Sequence, residues 1–373
     1  VLTDRTREVR GGIGYWLTAW RHHKYASATC RIGLGLAVTG LLITNFSTRD
    51  VWAGQASVWA TPAREALTFP EIALLSGASS DVVTAAYVMT LLAAMCLTAG
   101  FLTRPANAVT FIGFVTIVSQ NPVVGQQSDT IIRLALLWMI VMRTSDVWSV
   151  DRWRRERRTG YGNGYGRRRM GSFRSWDSAD ILPEWLLTGL HNVGLLALAG
   201  QVALMYLAGG LDKVSDKAWQ HGTALFSTLQ LPEFRFYPWV SDLISHNTVL
   251  LAMATYAVLL SQLFFVPLLL NRIARAVVIW AAIVVNAFFG LLFAQPWAGI
   301  AVIAVTLIFA SDESLQRVAF TVRPVTLRAG KLTGNVTATV AGVGYVAVDW
   351  LTALWTDYVL TAYDAVKFKI TGR

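Results

Sequence analysis

The sequence predicts an all-α fold: a polytopic membrane helical bundle of about eight transmembrane helices, followed by an interfacial C-terminal helix. Three observations carry this prediction. Of the 373 residues, 54% are hydrophobic and only 14% charged, against about 25% charged in soluble domains, and the mean hydropathy is +0.48. The 15 tryptophans are an aromatic load suited to membrane interfaces. Lys and Arg are concentrated on alternate loops between the apolar runs, as the positive-inside rule expects. This composition excludes a soluble globular enzyme, a disordered chain and a disulfide scaffold.

A membrane helix needs about 20 mostly apolar residues. The first such run is 29–46, and a mixed stretch follows to Asp81. The second is 82–102. Thr103-Arg104-Pro105 then makes a short turn, with Pro well placed to open the next helix. The third run is 106–118, the fourth 130–142, the fifth 185–211 and the sixth 249–270. A polar turn at 271–275 leads to the seventh, 276–294, and the eighth, 297–310. A last apolar stretch, 336–348, is short, rich in Gly and followed by Asp349 and Asp357. It reads as an interfacial or packed helix, with a ninth span as the alternative. The organisation is therefore a cytoplasmic N-terminal segment 1–28, a transmembrane domain 29–310, and a cytoplasmic or interfacial C-terminal region 311–373.

Charge sets the orientation. With the N-terminus cytoplasmic, the inside segments are 1–26, 103–106, 143–182, 271–275 and 311–335, and they hold 22 Lys and Arg. The outside segments 47–81, 119–128, 213–246 and 295–297 hold 5. That split predicts a multi-pass plasma-membrane protein with both termini cytoplasmic. The first 25 residues are too polar for a secretory signal peptide. Cys30 and Cys96 both lie in apolar runs, where free Cys behaves as a small buried hydrophobe, so free thiols are expected.

The net charge of +10 needs no nucleic-acid partner, because cytoplasmic loops collect Lys and Arg. The most basic loop, 143–182, contains RWRRERRTGYGNGYGRRRMGSFR. Its alternating glycines lack the preceding strand and following helix of a phosphate cradle. It reads as a cytoplasmic loop that sets topology and touches anionic headgroups.

Ionisable residues inside spans are costly and are functional candidates by default. Arg31 either snorkels to the cytoplasmic headgroups or has a functional role. Asp129 and Arg133 are spaced i, i+4 and are expected to form a structural ion pair. His191, Gln201 and Asn286 lie within spans. His191 and Asn286 are most simply interhelical hydrogen-bond partners, and no metal-ligand spacing is present. Tyr206, Gly209, Gly210 and Lys213 follow at i, i+3, i+4 and i+7 and share one helical face. The glycines leave that face open to a flat ligand or to another backbone. The segment 214–245 carries Trp219, Phe226, Phe234, Phe236, Tyr237 and Trp239. It is expected to lie in the outer interface and cap the bundle. Lys213 is either an anchor at the helix end or a reactive group.

The run Asp212-Lys213, Trp219, Gly222-Thr223-Ala224, with Gln201 and Tyr206 upstream, resembles the signature of the HTTM-domain and vitamin K-dependent gamma-carboxylase-like membrane family. The opening CRIGLGLAVTGLLI, the segment NPVVGQQSDTIIRLALLWMIVM and the stop SDVWSVD look like further family pieces in the same order. The resemblance covers about 30–310. Within the family the chain is most similar to the bacterial sporulation-delaying protein B branch, implicated in maturing a secreted peptide toxin.

The resemblance implies an outward-facing intramembrane site that uses a reduced quinone, such as menaquinol or another vitamin K-type hydroquinone. Lys213 would be the catalytic base. Gln201, Tyr206, Gly209, Gly210, Trp219 and Asn286 would bind the quinone or substrate. A secreted peptide substrate and a small partner protein are the expected partners, besides the lipid bilayer. Many family members carry His where this chain has Asn286, and Asn cannot exchange a proton at neutral pH. The carboxylase's extra lumenal domain has no counterpart before Arg373. The alternative is a non-catalytic membrane partner that presents or exports a peptide.

Overall fold

The computed structural model describes residues 12, 14–67, 70–160 and 183–317. The stretch 336–357, the 161–182 part of the basic loop and residues 1–11 and 13 of the N-terminal segment lie outside the described residues. Among the described residues the chain is helical and has no strand. The principal helices are α1 (Lys24–Thr44), α2 (Ser80–Ala99), α3 (Thr103–Val118), α4 (Gln127–Val141), α5 (Val150–Gly160), α6 (Glu184–Ser215), α7 (Pro238–His246), α8 (Thr248–Leu263), α9 (Phe265–Leu269), α10 (Arg272–Leu292) and α11 (Pro296–Thr306).

Each of the eight apolar runs coincides with one of these helices or, in one case, two. Among the described residues four helices are long and apolar enough to cross a membrane: α1, α2, α6 and 274–292 of α10. A fifth counts if α7 and α8, bent by 100° at their junction, form one span. Helices α3 and α4, with 16 and 15 residues, reach about 22–24 Å at 1.5 Å per residue. That is short of a hydrocarbon core of about 30 Å. Helix α6 errs the other way. Its 32 residues make about 48 Å, so it must tilt or project beyond the apolar layer.

The run at 249–270 is broken into α8 and α9 at Phe264. Pro267 lacks the N–H that would bond back to the carbonyl of Leu263, which is how proline interrupts a helix. The bend before α8 has a local cause as well. The Asn247 side chain accepts from the N–H groups of Val249 and Leu250, both at 3.1 Å, and starts the new helix.

The main core is continuous through α1, α2, α3, α4, α6, α9, α10 and α11. Its central post is α1, whose inward face offers Ala26, Cys30, Leu34, Ala37, Val38 and Leu42. A smaller core joins Leu225, Leu229 and Ile244 to Leu251 of α8 and Leu292 of α10. The aromatic segment 214–245 is thus packed onto the ends of α8 and α10. Both Cys30 and Cys96 are free thiols.

Long-range carboxylates tie one end of the bundle together. Asp312 accepts from the N–H groups of Lys24, Tyr25 and Ala26 at 2.9, 3.0 and 3.2 Å and caps α1. Asp151 accepts from the N–H groups of Leu102 and Thr103 and from the Thr103 hydroxyl, and so opens α3. Arg21 and Arg143 both pair with Asp146 and Glu184. These contacts gather the segments predicted to be inside. At the other end, Arg49 bonds Thr84, Ser80 bonds Asp50, and Arg64 bonds Gln120. The segments predicted to share the outer side meet there.

Arg31 does not snorkel. It is fully buried, and its guanidinium donates to the carbonyls of Leu97 (2.6 Å), Thr98 (3.1 Å) and Trp148 (2.7 Å). The last turn of α2 supplies two of these acceptors, and a cation is favoured at a helix C-terminus. The long side chain is held there by carbonyls rather than by headgroups.

Candidate functional site

The face of α6 that carries Tyr206, Gly209, Gly210 and Lys213 packs against α8 and α9. Gly210 is where the backbones meet. A Cβ at this position would lie 2.8 Å from the Leu263 backbone, so only glycine permits this approach. At this point the open face anticipated for a flat ligand is filled by another helix. Gly209, one residue earlier, faces the Gln262 side chain, whose Oε1 would lie 2.9 Å from an added Cβ.

Tyr206 is 2% exposed. Its ring stacks on Phe265 with centroids 3.9 Å apart and planes 15° apart. Its hydroxyl belongs to a directional chain. Asn286 Nδ2 donates to the Tyr206 oxygen at 3.3 Å. Thr306 Oγ1 donates to the Val302 carbonyl, so the Tyr206 hydroxyl donates to Thr306 Oγ1 at 3.0 Å. Every member of this chain has a partner, which fixes α6 against α10 and α11.

Lys213 lies nearly two turns further along. Its Nζ donates to the Gly209 carbonyl at 3.3 Å and sits 5.2 Å from the centre of the Trp219 ring. An ammonium over an indole face is a favourable cation–π arrangement. Among the described residues Lys213 forms no ion pair. Asp216 turns away and caps the next short helix, Lys217–Gln220, by accepting from Ala218 N–H at 2.8 Å. Trp219 is presented from that helix. Gly222, with φ of 71°, allows the sharp turn that follows, and the Tyr256 hydroxyl pins Gln220 by its carbonyl at 2.7 Å.

Gln262, on α8, was not anticipated. Its Oε1 is buried with no hydrogen-bond partner among the described residues, and it faces Gly209, beside Lys213. The one signal for it in the sequence is the Ser261-Gln262 pair interrupting a long apolar run. Thr306 and Phe265 were likewise unmarked, because their roles come from partners about 100 and 60 residues away. Gln201 does not join this group. It lies on the α4 side of α6, on the wall of an apolar groove with Thr130, Leu134 and Trp138, where its Oε1 has no partner.

Other sequence candidates are placed as follows. The expected pair of Asp129 and Arg133 is not formed. Asp129 accepts from Gln126 N–H at 2.8 Å in a capping box that starts α4, and Arg133 donates to Thr130 Oγ1 at 3.0 Å. The cap competes successfully for the carboxylate. His191 is an interhelical partner: Nδ1 accepts from Arg143 N–H at 3.2 Å, so the proton sits on Nε2 and goes to the His22 carbonyl at 2.9 Å. No group of three or more His, Cys, Asp or Glu side chains placed to hold a metal occurs among the described residues.

Comparison with known protein families, with characterised proteins and with solved structures finds no match to this chain.

Proposed function

We propose that this chain is a multi-pass plasma-membrane protein of about eight spans with both termini cytoplasmic. Its outward-facing site at Lys213 works with a reduced quinone in maturing a secreted peptide. The single observation that carries the chemistry is the surroundings of Lys213. Among the described residues the amine has one carbonyl acceptor and an indole face, no carboxylate is bonded to it, and the unpartnered carbonyl of Gln262 is its neighbour.

These residues fit the polar end of a hydroquinone. Gln262 Oε1 would accept a hydrogen bond from a hydroxyl, Trp219 offers an aromatic face, and the missing Cβ of Gly209 lets the Gln262 side chain approach beside Lys213. A bound hydroquinone would supply reducing equivalents and an acidic hydroxyl. Lys213 would take the hydroxyl proton at Nζ. A lysine in water is charged at neutral pH, whereas removal from water disfavours the charged form. The apolar surroundings of α6 and the cover of Trp219 act in that direction, while the adjacent Asp212 carboxylate opposes it by favouring the charged form; Asp216 turns away to cap the next helix. Tyr206, Asn286 and Thr306 hold the helix that carries Lys213 and do not move protons themselves. Gln201, on the opposite side of α6, would contact an isoprenoid tail or lipid rather than the reacting ring.

The second reading, a non-catalytic partner that presents or exports a peptide, has one observation in its favour. The Gly210 face is closed by the Leu263 backbone, which removes the largest flat surface expected for a ring. Oxidation of menaquinol by the purified, reconstituted protein in air separates the two. The enzyme reading expects turnover above that of protein-free liposomes, and the partner reading expects none.

The membrane arrangement has its own test. A cysteine introduced at Ser227 is expected to react with an impermeant thiol reagent added outside intact cells, and one at Gly162 to react only after permeabilisation. Outside labelling at Gly162 would overturn the orientation.

A further inference from the structure

A second cavity lies at the predicted outer end of the bundle, on elements other than those of the Lys213 site. Its volume is about 280 Å³. Leu41, Val118 and Val124 give it an apolar floor, and Asn45, Trp52 and Asp129 form its polar wall.

Two groups on that wall lack partners. Asp129 is 7% exposed. Its Oδ2 is taken by Gln126 N–H, and no donor reaches Oδ1 among the described residues. The cation expected to pair with it, Arg133, is bonded to Thr130 and acts on the carboxylate only through space, leaving Oδ1 without a donor. Trp52 Nε1 is buried without an acceptor among the described residues. The Asn45 amide is already committed, donating to the Leu41 carbonyl at 2.9 Å. Burying an indole N–H unmatched is costly, and Asp129, on the cavity wall, keeps one carboxylate oxygen able to accept. The missing complement is therefore a cationic donor together with an oxygen acceptor, attached to a short apolar body. The indole face adds attraction for a cation.

We propose that this cavity binds a small amphipathic amine carrying an oxygen acceptor. Its ammonium is held by Asp129, its oxygen by the Trp52 N–H, and its apolar body by Leu41, Val118 and Val124. The volume sits just below the usual range of small-molecule pockets, about 300–1,000 Å³, so the ligand is of amino-alcohol size.

The probe is L-leucinol, which has an ammonium, a hydroxyl and a branched C4 body. Its binding to the purified protein in detergent is followed by saturation-transfer NMR. Saturable binding by the wild type is expected. Asp129→Asn keeps an acceptor for the Gln126 N–H and removes the charge, so affinity should fall about tenfold or more with the loss of a charge-assisted hydrogen bond. Trp52→Phe keeps a ring and removes the N–H, and should weaken leucinol binding more than that of isopentylamine, which has no oxygen and loses only part of the cation–π attraction. If Asp129→Asn does not fold, Val124→Trp, placed on an exposed turn, fills the cavity and should abolish binding. The proposal is overturned if 4-methylpentan-1-ol binds as well as leucinol. Normal binding by Asp129→Asn or by Val124→Trp, or the absence of saturable binding by the wild type, overturns it too.

Discussion

Lys213→Arg is expected to be as inactive as Lys213→Ala in menaquinol oxidation, although it keeps the positive charge. Arginine does not deprotonate in proteins, so it cannot accept a hydroxyl proton. It can still stack over Trp219 and donate to the Gly209 carbonyl. Loss of a positioned base costs about 10²–10⁴-fold in rate, and both variants should fall in that range. Both should remain folded, because Lys213 is only half-buried and joins no ion-pair network among the described residues. If Arg restores activity, Lys213 serves as an anchor or as a contact for an anion, and the base role fails. Gln262→Leu gives an independent reading of the same site. It removes the unpartnered carbonyl and should raise KM for the quinol more than it lowers kcat, since Gln262 is assigned to binding rather than to proton transfer.

Arg31→Met is expected to give the largest loss of stability of any single change in the first helix. The guanidinium satisfies three carbonyls from two segments that lie 66 to 117 residues away. One of them, the carbonyl of Trp148, belongs to a residue held at φ of 49°. This is a left-handed conformation that bulky side chains rarely adopt. Each buried acceptor left unmatched costs about 1–3 kcal/mol, so a total of about 3–5 kcal/mol is expected after partial relaxation. Thermal unfolding in detergent measures this. Arg31→Lys should recover only part of the loss. One ammonium keeps the charge beside the end of α2 but lacks the planar fork that reaches both Leu97 and Trp148. Full stability in Arg31→Met would show that these carbonyls find other donors and that the guanidinium is dispensable to the fold.

The helices were legible in the sequence for a simple reason. In a bilayer the apolar run is itself the helix signal, and each of the eight runs coincides with helical structure. The membrane-spanning length of each was less legible. Composition cannot reveal that Pro267 divides one run or that α6 continues for 32 residues into the outer segment. The face of Tyr206, Gly209, Gly210 and Lys213 was legible because helical periodicity places those residues together before any packing is known. What fills that face was not, since Leu263 and Gln262 arrive from a helix some 50 residues later. The caps show the same limit. Asp312 closes α1 from 288 residues beyond Lys24, and Asp129 prefers the N–H of Gln126 to the arginine one turn away. Local spacing offered Asp129 a partner, and local backbone geometry offered a better one. A carboxylate in the first turn of a helix is as good a cap as it is an ion-pair partner, and the i, i+4 pattern alone does not distinguish the two.

The central claim is that the Lys213 site holds a reduced quinone. Its most direct test is the quinone content of protein purified from its native membrane under mild detergent. Lipid-extractable quinone is quantified against phospholipid for the wild type and for Gln262→Leu. The account predicts a stoichiometric quinone in the wild type, well above the quinone-to-phospholipid ratio of the parent membrane, and its loss in the variant. A ratio no higher than that of the parent membrane, with the same value in both proteins, would contradict it.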